Sequence, residues 1–282
     1  MLIDTHAHLN FPEYNQPGDD LPDTPDGKSW RAGTIARCLS YPMQVINIGV
    51  DYESSQEVIA LAEKYPGSFF ASVGLHPDDG FAKDFNIEQF SALIATHRQA
   101  VVAIGECGLD FYRWSELGSD FGKVYQKQTE IFRQQIALAR EFNLPLIIHA
   151  RASKDSDKPS AYSEIIKILQ AENYQAGVAH CFAGTVAEAK QFLDLGFYLG
   201  FTGIITFPKG DNVREIAQMC PRDRMLIETD APFLAPQAYR GKRNEPVYVE
   251  EVAKKIAELR SWSLGEVIEL TAQNANKLFN LS

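Results

Sequence analysis

The segment Leu2-Ile3-Asp4-Thr5-His6-Ala7-His8-Leu9 begins apolar and then alternates polar with small or apolar residues. Alternate side chains of a strand share a face, so His6 and His8 can aim two imidazoles at one point just past a strand end. An isolated His-x-His reads equally well as two satisfied histidines at a sheet edge. What gives the pattern weight is its return along the chain. Apolar runs at 101–106 (VVAIGE), 144–149 (LPLIIH) and 175–180 also end in a carboxylate or a histidine, and Asp230 follows the run 225–229.

Between these runs the chain keeps a rhythm of short apolar stretch, polar loop and helical stretch. Strands are expected at 2–8, 44–49, 69–74, 101–106, 144–149, 175–180, 197–201 and 225–229. Helices are expected at 31–39, 54–64, 87–96, 124–142, 161–170, 186–195, 213–219, 246–259 and 263–279. Short apolar strands alternating with helices imply a parallel sheet covered on its faces. Eight of them imply an α/β fold of one kind, a single (β/α)8 TIM barrel closed by C-terminal helices. The competing open, doubly wound sheet lacks its Gly-rich phosphate fingerprint after strand one. No linker divides the chain, so residues 1–282 are expected to form one domain.

Composition narrows the function classes. The chain has 282 residues, 45% hydrophobic and 23% charged, with a formal net charge of -10. An acidic protein does not coat nucleic acid generically, because affinity for phosphates rests on positive charge. A nucleic-acid enzyme with a local basic rim is still compatible. Cys38, Cys107, Cys181 and Cys220 show no C-x-x-C spacing and read as free thiols. Cys107 and Cys181 each adjoin a polar strand end, so alternation is expected to turn both into the core. No leader-like or membrane-length apolar segment is evident, which points to a cytoplasmic protein with no membrane and no obligate protein partner.

In a barrel the C-terminal strand ends carry the chemistry. His6, His8, His76, Glu106, His149, His180 and Asp230 all fall there, whereas His97 falls at the opposite end and reads as a surface residue. Four imidazoles and two carboxylates on one rim are costly to bury unless paired or metal-bound. Mixed nitrogen and oxygen donors suit zinc, manganese or iron, and magnesium with water completing its shell. Six donors exceed what one catalytic ion with an open position needs. Two ions bridged by a carboxylate use them all, a form suited to hydrolysing phosphoryl or acyl bonds.

These residues also carry a resemblance. Asp4-Thr5-His6-Ala7-His8-Leu9, Gly74-Leu75-His76-Pro77, Gly105-Glu106-Cys107-Gly108-Leu109-Asp110, Ile148-His149-Ala150-Arg151, His180-Cys181-Phe182 and Glu228-Thr229-Asp230-Ala231-Pro232 resemble, in order, the TatD family of metal-dependent deoxyribonucleases, within the amidohydrolase-like barrels. The resemblance implies that His6, His8 and Asp230 hold one divalent ion (Mg2+, Mn2+ or Zn2+), that His149 and His180 hold a second, and that Glu106 bridges them. Phosphotriesterase-like relatives often bridge with a carboxylated lysine, and Glu106 at the end of strand four sets this chain nearer the TatD branch. Three loops depart from the family pattern, at 16–28, 114–122 and 153–160.

Around this set, Glu228 shares strand parity with Asp230 and either orients a ligand or holds its loop. His76 is a candidate to donate a hydrogen bond to a phosphate or to protonate a leaving group, and Asp4 reads as a buried, hydrogen-bonded carboxyl. Arg113, Arg151, Lys154, Arg240, Lys242 and Arg243 lie in rim loops as candidate phosphate contacts, with Phe111, Tyr112 and Trp114 as candidate stacking residues. The expected activity is hydrolysis of DNA phosphodiesters by a metal-activated water, with Asp230 orienting it and accepting its proton. The alternatives are an ester or amide hydrolase on the same centre, such as one acting on an aminoacyl ester of tRNA, and a non-catalytic metal-binding scaffold.

Overall fold

Adjacent residues of each strand part company in the structure. Ile3, Ile46, Phe70, Val102, Ile147 and Leu226 join one buried cluster, and their chain neighbours Leu2, Val45, Phe69, Val101, Leu146 and Met225 join another. That alternation sends one side chain to the barrel interior and the next against the helices. The computed structural model describes residues 1–14, 30–117 and 120–281. Its strands are β1 (Leu2–Ala7), β2 (Met43–Ile48), β3 (Phe69–Val73), β4 (Val101–Asp110), β5 (Leu146–Arg151), β6 (Gly177–Ala179), β7 (Tyr198–Phe201) and β8 (Met225–Ile227). The helices are α1 (Trp30–Ser40), α2 (Tyr52–Lys64), α3 (Asp79–Ala82), α4 (Ile87–Thr96), α5 (Phe121–Phe142), α6 (Ala161–Glu172), α7 (Val186–Asp194), α8 (Asp211–Met219), α9 (Val249–Arg260) and α10 (Leu264–Phe279).

The strands pair in parallel in chain order. The seam between first and last is closed beyond β8 by a parallel bridge between Ala7 and Ala231. Backbone bonds from His8 N to the Ala231 carbonyl (2.7 Å) and from Asp230 N to the His6 carbonyl (2.9 Å) complete it. This is the expected (β/α)8 barrel. Closure draws His6, His8 and Asp230 together, although 222 or more positions separate the first two from the third. Ala275 and Phe279 of α10 join the interior cluster, so the last helix covers one end of the barrel.

Helix starts follow local chemistry. Capping boxes form at Asp51/Ser54, Thr185/Glu188 and Ser263/Glu266, where side chain and backbone satisfy each other's free groups. Two expectations are corrected. β4 does not end at Glu106 but continues to Asp110, because Gly105 and Gly108 adopt φ of 155° and 137° and let the strand carry on past a break in register. The stretch 246–259 is not one helix, since a 3-10 turn at Pro246–Tyr248 precedes α9. Of the three departing loops, 16–28 lies outside the described residues. The second holds a 3-10 turn at Trp114–Leu117 before Asp120 caps α5.

Candidate metal centre

Strand ends and the turns after them supply every donor at the mouth. His6 comes from β1 and His8 from the residue after it, and their Nε2 atoms approach to 3.1 Å. The Ile48 carbonyl lies 3.3 Å from His8 Nδ1. A carbonyl only accepts, so Nδ1 carries the proton and the His8 Nε2 lone pair faces the mouth. The His6 ring stacks on that of His180 with centroids 3.5 Å apart.

Glu106 lies among these rings and divides them. Its Oε2 is 3.4 Å from His6 Nε2 and 3.7 Å from His8 Nε2. Its Oε1 is 2.8 Å from His149 Nδ1, 3.7 Å from His180 Nε2 and 3.9 Å from His76 Nε2. Asp230, which adopts φ 57°, puts Oδ1 3.5 Å from His8 Nε2, 3.8 Å from His6 Nε2 and 3.9 Å from His180 Nε2. All seven sequence-selected mouth residues therefore meet, His76 included.

Carboxylates behind the mouth set the ring orientations. Asp110 Oδ2 lies 2.8 Å from His149 Nε2, and Glu228 Oε1 lies 2.8 Å from His180 Nδ1. Glu228 is completely buried and also accepts from Cys181 N and, at 3.4 Å, from Thr5 Oγ1. Asp110 accepts from Tyr112 N at 2.8 Å, and Gln128 of α5 grips its backbone N–H and carbonyl, both at 3.0 Å. Asp110 and Gln128 were missed in the sequence. Asp110 shares parity with Glu106, and an expectation of a longer β4 would have found it; Gln128 leaves no local signal, because it is one polar residue on a long helix. Asp4 is buried and accepts from Thr229 Oγ1, Thr229 N and His6 N, so it braces the β1–β8 seam.

Electrostatics follow the geometry. Burial alone would raise the Glu106 carboxyl, but the charge of His6 and hydrogen bonds from His149 and His6 hold it well below the usual range. Burial alone would likewise lower His149, yet its bonds to Asp110 and Glu106 lift it to about 10. Against the same burial cost, the Glu228 carboxylate lifts His180 to about 9. His76 falls to about 3, through burial and then the neighbouring His149 charge. Asp78 N donates to His76 Nδ1 at 3.2 Å, so the neutral His76 ring carries its proton on Nε2 and presents a donor to the mouth.

This donor set fits divalent ions. Nε2 of His6 and His8 with Asp230, His6 and His180 with Glu106, and His76 and His149 with Glu106 each bring ligand atoms within 4.8 Å of one another. Cys181 requires a correction. It lies beyond the end of β6, where alternation no longer applies, and at φ 46° its Sγ comes within 4.8 Å of donors on His180 and Asp230. Cys107, inside β4, is completely buried as expected.

The rim cations each pack on neighbours of their own. Arg113 pairs with Glu116 at 3.9 Å, and the Arg240 guanidinium sits 4.3 Å from the Phe207 ring centre. Exposed Lys242 lies 6.0 Å from the Tyr239 ring, while half-buried Arg243 packs 4.8 Å from Trp30 and 5.9 Å from Tyr14. Phe111 is completely buried against Phe121 and Tyr125 and offers no face to a base. His97, at the other end, pairs with Glu63 at 2.7 Å.

Comparison with known proteins finds metal-dependent hydrolases. The family model described as TatD related DNase matches residues 3–280. YabD of Bacillus subtilis, named an uncharacterized metal-dependent hydrolase, is 38% identical over 287 aligned positions that span 100% of both chains. A protein of Erwinia tasmaniensis named 3'-5' ssDNA/RNA exonuclease TatD is 36% identical over 242 positions, covering 83% of this chain and 86% of that protein. The crystal structure of YjjV, a TatD homologue from Escherichia coli K12, superposes with a TM-score of 0.81 at 28% identity, covering 99% of this chain and 98% of the other.

Proposed function

The chain belongs to the TatD family of metal-dependent hydrolases, and we propose that it hydrolyses DNA phosphodiester bonds at a centre of two divalent ions. The observation that carries the reading is the division of labour at Glu106, with Oε2 toward His6 and His8 and Oε1 toward His149 and His180. A bridging carboxylate needs that arrangement. In this reading His6, His8 and Asp230 would hold one ion, His149 and His180 the other, and Glu106 would contact both. The ions would polarise a phosphoryl oxygen and make water acidic enough to attack at neutral pH.

The chain's own residues supply the remainder. Burial works against the Asp230 carboxylate, but the neighbouring His8, His180 and His6 imidazoles keep its pKa below the usual value. It therefore remains an anion that orients the attacking water and receives its proton. His76 is a neutral Nε2–H donor and hydrogen-bonds a phosphoryl oxygen; its low pKa argues against a charged acid that protonates a leaving group. Glu228 and Asp110 fix the rings of His180 and His149. The DNA assignment draws on the printed activity of the Erwinia relative. End-labelled single-stranded and duplex DNA, a phosphate monoester and a neutral ester, each tested with and without chelator, check it. DNA should shorten only with metal present, and efficient ester turnover without DNA cleavage would contradict the nuclease while sparing the centre.

A further inference from the structure

One cationic patch on the rim shares its single paired carboxylate with the metal centre. The Arg151 guanidinium carbon lies 3.8 Å from the Tyr112 ring centre and Lys154 Nζ lies 3.9 Å from the same point. The two charges are therefore within about 8 Å of each other, a separation over which physiological salt screens them only in part. Neighbouring cations on this rim are neutralised locally, Arg113 by Glu116 at 3.9 Å and Lys158 by Asp157 at 2.8 Å. Among the described residues, Arg151 has one carboxylate within ion-pair distance, Asp110 at 4.0 Å, and Asp110 is already held by His149 at 2.8 Å. Lys154 is exposed and has no ion-pair partner among the described residues. In a chain of net charge -10, unpaired Lys154 beside Arg151, whose one paired carboxylate is shared with His149, leaves a local excess of positive charge.

Its position relates it to the metal centre. Arg151 touches Asp110, Asp110 holds His149, and His149 meets Glu106, so the patch stands one side chain outside the ligands. We propose that Arg151, Lys154 and Tyr112 form a subsite for the phosphate next to the scissile one, so that the enzyme selects a phosphodiester chain over an isolated phosphate ester. The inference rests on the nuclease reading and adds the substrate feature read beside the centre. Arg151 supplies a planar fork matched to phosphate oxygens and Lys154 a compact charge, both braced on one aromatic ring.

The test uses metal-loaded full-length protein and short single-stranded DNA in which one linkage flanking the cleaved bond is an uncharged methylphosphonate. In the wild type, neutralising the contacted flanking position should raise KM by about tenfold with kcat within about twofold, the signature of uniform binding. The double variant Arg151→Gln/Lys154→Gln should start from a KM raised by a similar factor on unmodified DNA and lose its sensitivity to the methylphosphonate, because coupled partners are not additive. Equal methylphosphonate sensitivity in both proteins, or an unchanged KM in the variant, would overturn the subsite and leave the nuclease standing. Failure of the metal-loaded wild type to cleave any unmodified oligonucleotide would overturn the nuclease reading, and the subsite with it.

Discussion

Asp110 and Glu228 orient two histidines of the candidate metal centre from behind. Each holds the far nitrogen of a histidine at 2.8 Å, so that the near nitrogen faces Glu106. Asp110→Asn retains shape but loses the anion that makes His149 basic. It should weaken one ion by about 10- to 100-fold, the usual effect of removing such a support, while the other ion still binds tightly. Calorimetric titration should split into a tight and a weak step, and an unchanged isotherm would show that Asp110 does not support the centre. The raised pKa values of His149 (about 10) and His180 (about 9) give a second expectation. Without metal both rings hold their protons at pH 7, and each must give one up to bind an ion. Apparent affinity should rise with pH and level off above about 10, with protons released on loading. Titration in buffers of different ionisation enthalpy measures that release, and none at pH 7 would contradict the assignment of these rings as ligands.

At the scale of elements, β4 controls the site. Gly108 lets the strand run from Glu106 to Asp110, and a Cβ there would meet the His149 carbonyl oxygen at 2.1 Å at a φ of 137°. Gly108→Ala should therefore destabilise the fold by roughly 2–4 kcal/mol, in the range of substitutions that clash with a special backbone position, and displace β5 with His149. Thermal unfolding with and without metal measures both effects, and an unchanged transition would show that the strand relaxes freely. This strand also marks the limit of what the sequence discloses. The apolar runs made the barrel legible, because alternating burial leaves a periodic trace, and their polar ends named the mouth residues. The apolar run stops at Ile104, so its periodicity does not reveal that β4 continues through Gly105 and Gly108 to Asp110. Strand alternation stops at Ala179, and beyond it Cys181 at φ 46° faces the donors rather than the core. Whether a rim cation is free or spoken for depends on loop packing, as Arg243 against Trp30 shows, and packing leaves no periodic trace.

At the scale of the whole molecule, barrel closure makes the centre possible. The first strand and the turn after the last meet through Ala7 and Ala231, and each brings donors the other lacks. Among the described residues no helix is long and apolar enough to cross a membrane. With a formal net charge of -10, attraction of a polyanionic substrate would fall to the mouth, where the proposed ions and the Arg151–Lys154 pair would offset the acidic balance. The central claim is that Glu106 joins two ions, and it is tested most directly by loading the protein with Mn2+ and combining metal analysis with electron paramagnetic resonance. The account predicts two Mn2+ per chain with a spin-coupled spectrum, as in bridged two-metal sites, and loss of the coupling in Glu106→Gln. A single tightly held Mn2+, or two ions in the wild type with uncoupled spectra, would contradict it.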